Sequence, residues 1–269
     1  MSLIPTSRDW RLANADFING IRRWQIWYLL GVSDIRQRYK RSRFGQFWIT
    51  FSMAIFIAGI GFVYSFLFHQ PIHEYIPYLS INYIVWSLIS GIMTDGTTAF
   101  TSSSVFLRQD ALPRTVFILR LLVRNLIAFG HNIIILPIVF LLFEVVPSWT
   151  VVLAIPGLLL LLVAGFLLAM LFGLLSTRFR DLPQIIQNLI QVLFFVTPVM
   201  WRPDQMGGQV RFVVELNPVG AFLRLVTEPL HGQVPELMTY GYAFVIIAVL
   251  FLLTWPLFAR FRARVVYWL

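Results

Sequence analysis

Cysteine and charge are the two things that this chain of 269 residues has least of. It has no cysteine, which excludes disulfides, thiolate metal sites and cysteine nucleophiles. Charged residues make up 12% of the chain, about half the share in an ordinary soluble domain. So few charges could not cover the surface of a soluble protein of this length, so a soluble fold is excluded.

Lysine is also scarce, and its scarcity bears on the use of ATP. A P-loop requires a glycine-rich turn followed by a lysine that reaches the phosphates. The only lysine is Lys40, which follows Arg38 and Tyr39 with no such turn before it. We therefore expect that the chain is not an enzyme that hydrolyses ATP, and that any ATP-driven work requires a separate subunit.

Long apolar runs are abundant, because hydrophobic residues account for 58% of the chain. A helix needs about 20 apolar residues to cross the roughly 30 Å hydrocarbon core of a bilayer. Continuous runs favour such helices over the alternating strands of an outer-membrane barrel. The prediction is an all-α integral membrane protein, one transmembrane domain over 1–269. Its six spans are residues 44–68, 75–94, 125–143, 150–177, 182–201 and 237–259.

Orientation follows from the positions of Lys and Arg, which collect on the cytoplasmic side of membrane proteins. Nine of them lie in residues 1–46 and three in residues 260–264, whereas residues 69–75 and 144–149 have none. With both termini inside, 18 of the 21 basic residues are cytoplasmic. The expected location is the bacterial inner membrane, with a cytoplasmic N-terminal segment of residues 1–43 and a cytoplasmic tail of residues 260–269.

Two segments outside the spans show structural patterns. Apolar and aromatic residues recur at helical spacing in 16–40, which predicts an amphipathic helix in the cytoplasmic interface. Its predicted apolar face contains Phe17, Ile21, Trp24, Tyr28, Val32, Ile35 and Tyr39. The other segment, 202–236, mixes apolar stretches with proline and glycine, which predicts short re-entrant helices before the last span.

The fifth predicted span carries a row of amides. Gln184, Gln187, Asn188 and Gln191 are spaced so that all four project from one helical face. Amides in hydrocarbon are costly unless they are hydrogen-bonded. One interpretation is that they bond to neighbouring helices or lie in water at the cytoplasmic end. The other is a channel wall that offers neutral donors and acceptors to a hydroxyl-rich substrate.

Aromatic residues, 16% of the chain, allow two similar interpretations. Most belong to the belts that form at membrane interfaces. Some within spans are candidates to line a path on which sugar rings stack. These candidates are Trp48, Phe51, Tyr83, Trp86, Phe194 and Phe195.

Other features favour packing or partner contacts over chemistry. A stripe of small residues, Ala54, Ala58, Gly61 and Ser65, suits either an intramolecular seam or a dimer seam. His131 is predicted to be a hydrogen-bonded packing residue. The chain shows no clustered carboxylates, so neither a catalytic nor a metal site is expected. Between spans two and three, the apolar Phe106, Leu107 and Leu112 either meet headgroups or dock on a cytosolic partner.

Three stretches resemble the permease subunit of type 2 ABC exporters, in the branch that exports O-antigen and related polysaccharides. They are DIRQRYKRSRFGQFWITFSMAIFIAGIGFVYSFLF at 34–68, RFRDLPQIIQNLIQVLFFVTPVMW at 178–201 and NPVGAFLRLVTEPLHG at 217–232. The resemblance implies a homodimer of this chain with two ATP-binding subunits, which hold ATP and Mg. It also implies a polymer on a polyprenyl diphosphate carrier, moved through a channel that the facing first and fifth spans line.

The same resemblance assigns contacts to particular residues. The helix at 16–40 and the loop at 103–113 contact the ATP-binding subunit, the loop through Phe106, Leu107, Arg108, Gln109, Asp110 and Leu112. Arg178 and Arg180 either meet the diphosphate of the carrier or anchor the chain at the headgroups. The re-entrant helices of 202–236 gate the outer mouth.

Three alternatives remain open at this point. The same fold suits another cargo, such as teichoic acid, another glycolipid or a drug. A membrane enzyme acting on polyprenyl-linked sugars would need clustered carboxylates, whereas Asp34, Asp95, Asp110 and Asp181 are scattered in sequence. For a transporter, replacing each of these by Asn is expected to leave activity mostly intact. A passive channel would work without any ATPase.

Overall fold

The computed structural model describes residues 5–40, 43–109, 112–203 and 216–269, and all regular structure in these ranges is helical. A short 3₁₀ helix, Trp149–Leu153, leads directly into the α-helix that begins at Ala154. The α-helices are α1 (Ser7–Arg22), α2 (Trp24–Tyr39), α3 (Phe47–Leu67), α4 (Ile72–Thr98), α5 (Ser104–Gln109), α6 (Arg114–Ile133), α7 (Ile135–Leu142), α8 (Ala154–Arg178), α9 (Leu182–Val196), α10 (Pro218–Leu230), α11 (Leu237–Phe261) and α12 (Val265–Trp268).

Helix α4 is the centre of the bundle, packed against α3, α6, α8, α9 and α10. Two thirds of its most apolar stretch is buried (67%), against 17% for α3. Glycines bring the backbones of α4 and α8 into direct contact, since a Cβ on Gly96 would lie 2.8 Å from the Cα of Ala169. On the other side of this contact, Gly173 of α8 lies against the ring of Phe100.

Within the described residues, five helical segments are long and apolar enough to cross a membrane: Phe47–Leu67, Ile72–Thr98, Arg114–Leu142, Trp149–Arg178 and Leu237–Phe261. They correspond to five of the six predicted spans, and the third begins 11 residues earlier than expected, at Arg114. The remaining predicted span, 182–201, is a helix of 15 residues, α9, about 22 Å long. It ends because Thr197 is extended before Pro198, where helical backbone is disfavoured.

The predicted single helix at 16–40 is two helices, α1 and α2, that meet at Arg23. At the centre of the predicted apolar face, Ile21, Trp24 and Tyr28 are 46–56% exposed and lie on the surface of the chain. The buried side includes Gly20 and Gly31, which allow close packing on α6. A Cβ on Gly20 would lie 2.6 Å from Thr115, and one on Gly31 would lie 2.9 Å from Val123.

The predicted re-entrant region contains one described helix, α10, and residues 204–215 lie outside the described ranges. The Asn217 side chain caps α10 by accepting hydrogen bonds from the N–H groups of Val219 and Gly220. Its amide N–H donates to the hydroxyl of Thr197 at 2.8 Å. This pair of residues therefore joins the end of α9 to the start of α10. Helix α10 then packs on α8, α4 and α11.

Gly157 of α8 tests the packing of α10, because an added Cβ would lie 2.7 Å from the carbonyl carbon of Leu225. Backbone cannot shift cheaply, so Gly157→Ala is expected to destabilise the protein by about 1–3 kcal/mol. Gly241→Ala in α11 is the matched control, since nothing lies within 4 Å of its added Cβ. Thermal unfolding in detergent measures both. Equal midpoints for the two variants would contradict this packing.

Candidate functional site: an open amide and aromatic face

The predicted amide row lies on the face of α9 that points away from the helix bundle. Gln184, Gln187, Asn188 and Gln191 are all exposed, whereas Ile186 on the opposite side is buried. Gln184 Nε2 donates to Asn188 Oδ1 at 3.3 Å, which is the one hydrogen bond between amides of the row in the described chain. Among the described residues, these amides therefore form no hydrogen bonds to neighbouring helices. They form a polar surface on an otherwise apolar helix.

Next to this row, an aromatic strip crosses from α3 over α4 to α9. The rings of Phe56 and Tyr83 stack with centroids 4.4 Å apart. Phe194 contacts Tyr83 at 6.2 Å and Trp86 at 5.5 Å, and Phe195 continues the strip at 5.6 Å from Phe194. Phe195 is 69% exposed. The strip connects the three helices that border this open face.

Trp86 does not line a path in this arrangement, because it is only 5% exposed. It lies behind Phe194 and supports that ring from α4. Trp48 and Phe51 form a separate exposed patch on α3 together with Phe44, with ring centroids 5.6–6.4 Å apart. The structure thus brings Tyr83, Phe194 and Phe195 together. It leaves Trp48 and Phe51 exposed on α3 in a patch of their own.

Half of the small-residue stripe, together with His131, packs within one chain. Gly61 and Ser65 are buried, and a Cβ on Gly61 would lie 3.0 Å from Ile76 of α4. The intramolecular seam is thus real at this half of α3, whereas Ala58 is exposed. His131 is half-buried, and its Nδ1 lies 2.8 Å from the carbonyl oxygen of Ile127.

The residues predicted to contact a partner are only partly accessible. In α5, Phe106, Arg108 and Gln109 are exposed, but Leu107 is 5% exposed and packs into the core. The side chain of Leu107 is therefore used in packing within the chain. Leu112 is half-buried, and Asp110 lies outside the described residues. Arg178 and Arg180 are exposed at the α8–α9 junction. The guanidinium of Arg178 lies over the ring of Phe179, 6.0 Å from its centroid.

A charge cluster that was not predicted from the sequence joins three helices. Arg120 of α6 pairs with both carboxylate oxygens of Asp34 of α2, at 2.7 and 2.5 Å. Arg124 lies 3.4 Å from Asp34 and 2.7 Å from Asp95 of α4. Asn125 adds a hydrogen bond to Asp95 at 2.7 Å. The side chains of the four charged residues are only 14–25% exposed.

A second set of contacts fastens α1 to the start of α6. The carboxylate of Asp16, which is 6% exposed, accepts hydrogen bonds from the backbone N–H groups of Arg114 and Thr115. These groups have no partner within their own helix, so Asp16 acts as a cap supplied from elsewhere in the chain. Arg262 lies 3.5 Å from Asp16 and Arg260 lies 3.6 Å from Asp9, which ties the end of α11 to α1 as well.

Charged residues within otherwise apolar helical patterns are the sequence feature that could have indicated the charge cluster and the Asp16 contacts. Arg120 and Arg124 are one helical turn apart in a segment that is otherwise apolar enough to span, and such residues require partners. The expectation that Asp34 and Asp95 are dispensable does not fit these contacts, because each neutralises a poorly hydrated guanidinium. The partners are 86 and 29 residues from their arginines, which spacing in sequence does not reveal.

At the opposite end of the bundle, His231 is held in its neutral form. Asn82 Nδ2 lies 3.1 Å from His231 Nε2, which must accept because the amide N–H donates. The imidazole stacks on the ring of Tyr78, with centroids 5.3 Å apart. The guanidinium of Arg202 lies 5.0 Å from the centroid of the Tyr78 ring and pairs with Glu74 at 3.6 Å. Burial, followed by the charge of Arg202, lowers the pKa of His231 to about 4.

Fold and site together define a multi-pass, all-helical membrane protein with an open amide and aromatic face. The ABC-2 type transporter family matches residues 25–230, and the chain belongs to this family. It is also similar to the O-antigen export system permease protein RfbA of Klebsiella pneumoniae, with 21% identity over 71% of this chain and 74% of the relative. RfbA of Myxococcus xanthus is 23% identical over 69% of this chain and 72% of the relative.

Asp34 tests the charge cluster. Asp34→Asn leaves Arg120 without a carboxylate in a mostly buried position, and we expect a loss of about 3 kcal/mol in stability. Arg36→Gln on the same helix is the control, since Arg36 is exposed and has no ion pair in the described chain. Adding Arg120→Met to Asp34→Asn should recover part of the loss, because the unpaired charge is removed. Strictly additive losses in denaturant unfolding would contradict the cluster.

His231 makes stability depend on pH. Its folded pKa of about 4 lies below the ordinary value of 6.5, so the unfolded chain takes up the proton first as pH falls. The stabilisation is complete above pH 6.5 and is lost toward pH 4, by about 3 kcal/mol in all. The difference in unfolding free energy between wild type and His231→Leu should therefore shrink across this window. A difference independent of pH would show that His231 is not held neutral.

Proposed function

We propose that this chain is the transmembrane subunit of an ATP-driven exporter that moves a polyprenyl-diphosphate-linked polysaccharide across the bacterial inner membrane. The observation that carries the proposal is the open face of α3, α4 and α9, where exposed amides adjoin an aromatic strip. Sugar hydroxyls require neutral donors and acceptors, which amides supply without demanding a charge. Sugar rings present C–H faces that pack on aromatic rings.

The same face supports a channel between two copies of the chain. Four amides that project into hydrocarbon from a single helix would cost several kcal/mol. A second copy that brings its α3 and α9 opposite those of the first would enclose the row in a hydrated path. The expected cargo then passes between the two copies, in contact with Gln187, Asn188 and Phe195 from each.

Energy for transport comes from a partner in this proposal. The sole lysine has no P-loop around it, so ATP and Mg are bound by two copies of an ATP-binding subunit. The exposed Phe106, Arg108 and Gln109 of α5 offer that subunit a contact on the same side as α2. The charge cluster then provides a rigid connection from α2 through α6 to α4, which carries Tyr83 of the aromatic strip.

The orientation proposed from the arginine distribution places both termini in the cytoplasm. Arg178 and Arg180 then lie at the inner headgroups, next to the start of the amide row. Guanidinium groups pair well with diphosphate oxygens, so these two arginines are suited to hold the carrier end of the polymer. The amide row begins four residues after Arg180, so a sugar chain leaving the diphosphate would meet it directly.

Deletion of the gene in its native host distinguishes the candidate functions. The expected result is loss of polysaccharide at the cell surface, with polymer retained on polyprenyl carrier in the inner membrane. The retained sugar would identify the substrate. Loss in both places would favour an enzyme of synthesis, and no change in either would overturn the polysaccharide proposal in favour of another glycolipid or a drug.

The amide row has its own test in the complemented strain. Gln187→Leu combined with Asn188→Leu removes two amides from the open face, and surface polysaccharide should fall at least fivefold. The control exchanges the two residues, Gln187→Asn with Asn188→Gln, which keeps both amides in place. Membrane levels of each variant are measured by immunoblot. Normal export by the double leucine variant at normal abundance would remove this face from the substrate path.

A further inference from the structure

A second surface feature lies away from the open face, between α1, α6, α8 and α11. It is a groove of about 790 Å³, and its walls include Leu119 of α6, Val163 of α8 and Ala248 of α11. Phe17 of α1 closes one end, with ring contacts to Phe166 at 5.7 Å and Trp255 at 5.4 Å. Helices α6, α8 and α11 all belong to candidate membrane spans, so the groove opens toward hydrocarbon.

The groove is apolar except at the end formed by α1. Among its lining residues, Asn14 is the one with a polar amide, and it lies beside Trp255. The indole N–H of Trp255 donates to Asn14 Oδ1 at 3.1 Å, which fixes the orientation of the amide. Asn14 is exposed, and neither N–H donor of its amide has a partner in the described part of the chain. Both donors are therefore open to an acceptor at this end of the groove.

Positive charge is concentrated at the same end. Arg11 lies one helical turn before Asn14 on the same side of α1, and Arg22 directly follows the lining residue Ile21. Both arginines are exposed and form no ion pair in the described ranges. The acidic residues of α1 are already engaged, Asp9 with Arg260 and Asp16 with Arg262. The uncompensated charge at the mouth of the groove is therefore basic.

We propose that this groove binds one anionic phospholipid, with an acyl chain along α8 and α11 and the phosphate at Arg11 and Asn14. The lining of α11 runs from Phe244 to Trp255, about 16 Å of helix, which suits a chain that lies along the bundle axis. The combination of an apolar wall, two free amide donors and unpaired arginines at one end matches an amphiphile with a negative headgroup. None of the three helices of the open face lines this groove, so the site is separate from the proposed path of the cargo.

The test uses the full chain, purified from nanodiscs of equal parts phosphatidylcholine and phosphatidylglycerol and analysed by native mass spectrometry after a detergent wash. Wild type should retain one phosphatidylglycerol per chain. Ala248→Trp fills the groove and should lower retention at least fivefold. Leu253→Trp is its control, because Leu253 is 53% exposed on the opposite side of α11.

Headgroup selectivity is tested separately, so that the proposal does not depend on a bulky substitution that folds. Arg11→Gln should reduce the preference for phosphatidylglycerol at least threefold, whereas Arg36→Gln on α2 should not change it.

Equal retention of both lipids by wild type would overturn the proposal, as would unchanged retention by Ala248→Trp. Cross-linking between two copies at position 248 would assign the groove to a second chain, and recovery of a polyprenyl phosphate in place of phosphatidylglycerol would assign it to the carrier.

Discussion

Two arginines on α6 need carboxylate partners, and this need organises one end of the helix bundle. Arg120 and Arg124 lie on a helix that is otherwise apolar, where an unpaired guanidinium is costly. Asp34 from α2 and Asp95 from α4 neutralise them, and Asn125 completes the hydrogen bonding of Asp95. The helices on either side of α6 are therefore held in one register by charge as well as by packing. Gly31 makes this possible, because its missing side chain lets α2 approach the backbone of α6.

Helices, fold class and the position of the amide row were predictable from the sequence because each depends on local spacing. Apolar runs of about 20 residues identify spans, and the spacing of Gln184, Gln187, Asn188 and Gln191 places them on one face whatever surrounds the helix. The fold class and five of the spans follow from such patterns. Which face of α9 is exposed does not follow from the sequence, because Ile185 and Val192 are as apolar as the buried Ile186 and are 58% exposed.

Features that depend on long-range contacts were not predictable in this way. The end of α9 is set partly by Pro198 and partly by the bond from Asn217 to Thr197, 20 residues away. Trp86 and Leu107 have residue types suited to a binding surface, but the packing of α4 and α5 buries them. In the sequence, Asp16 resembles an ordinary surface residue of an amphipathic helix. It caps the start of α6 only because α6 packs against α1 in the fold.

The close contact of Gly96 with Ala169 limits how the bundle can change shape. Backbones in contact have no intervening side chains that could change rotamer to absorb a sliding motion, and Gly157 against Leu225 extends the same condition to α10. Helices α4, α8 and α10 therefore behave as one stiff block. If cargo passes beside α4 as proposed, widening that passage requires displacement of α3 or α9, whose outer faces are exposed. In the proposed transporter, movement is therefore expected in α3 and α9 at the edge of the bundle, with α4 and α8 fixed.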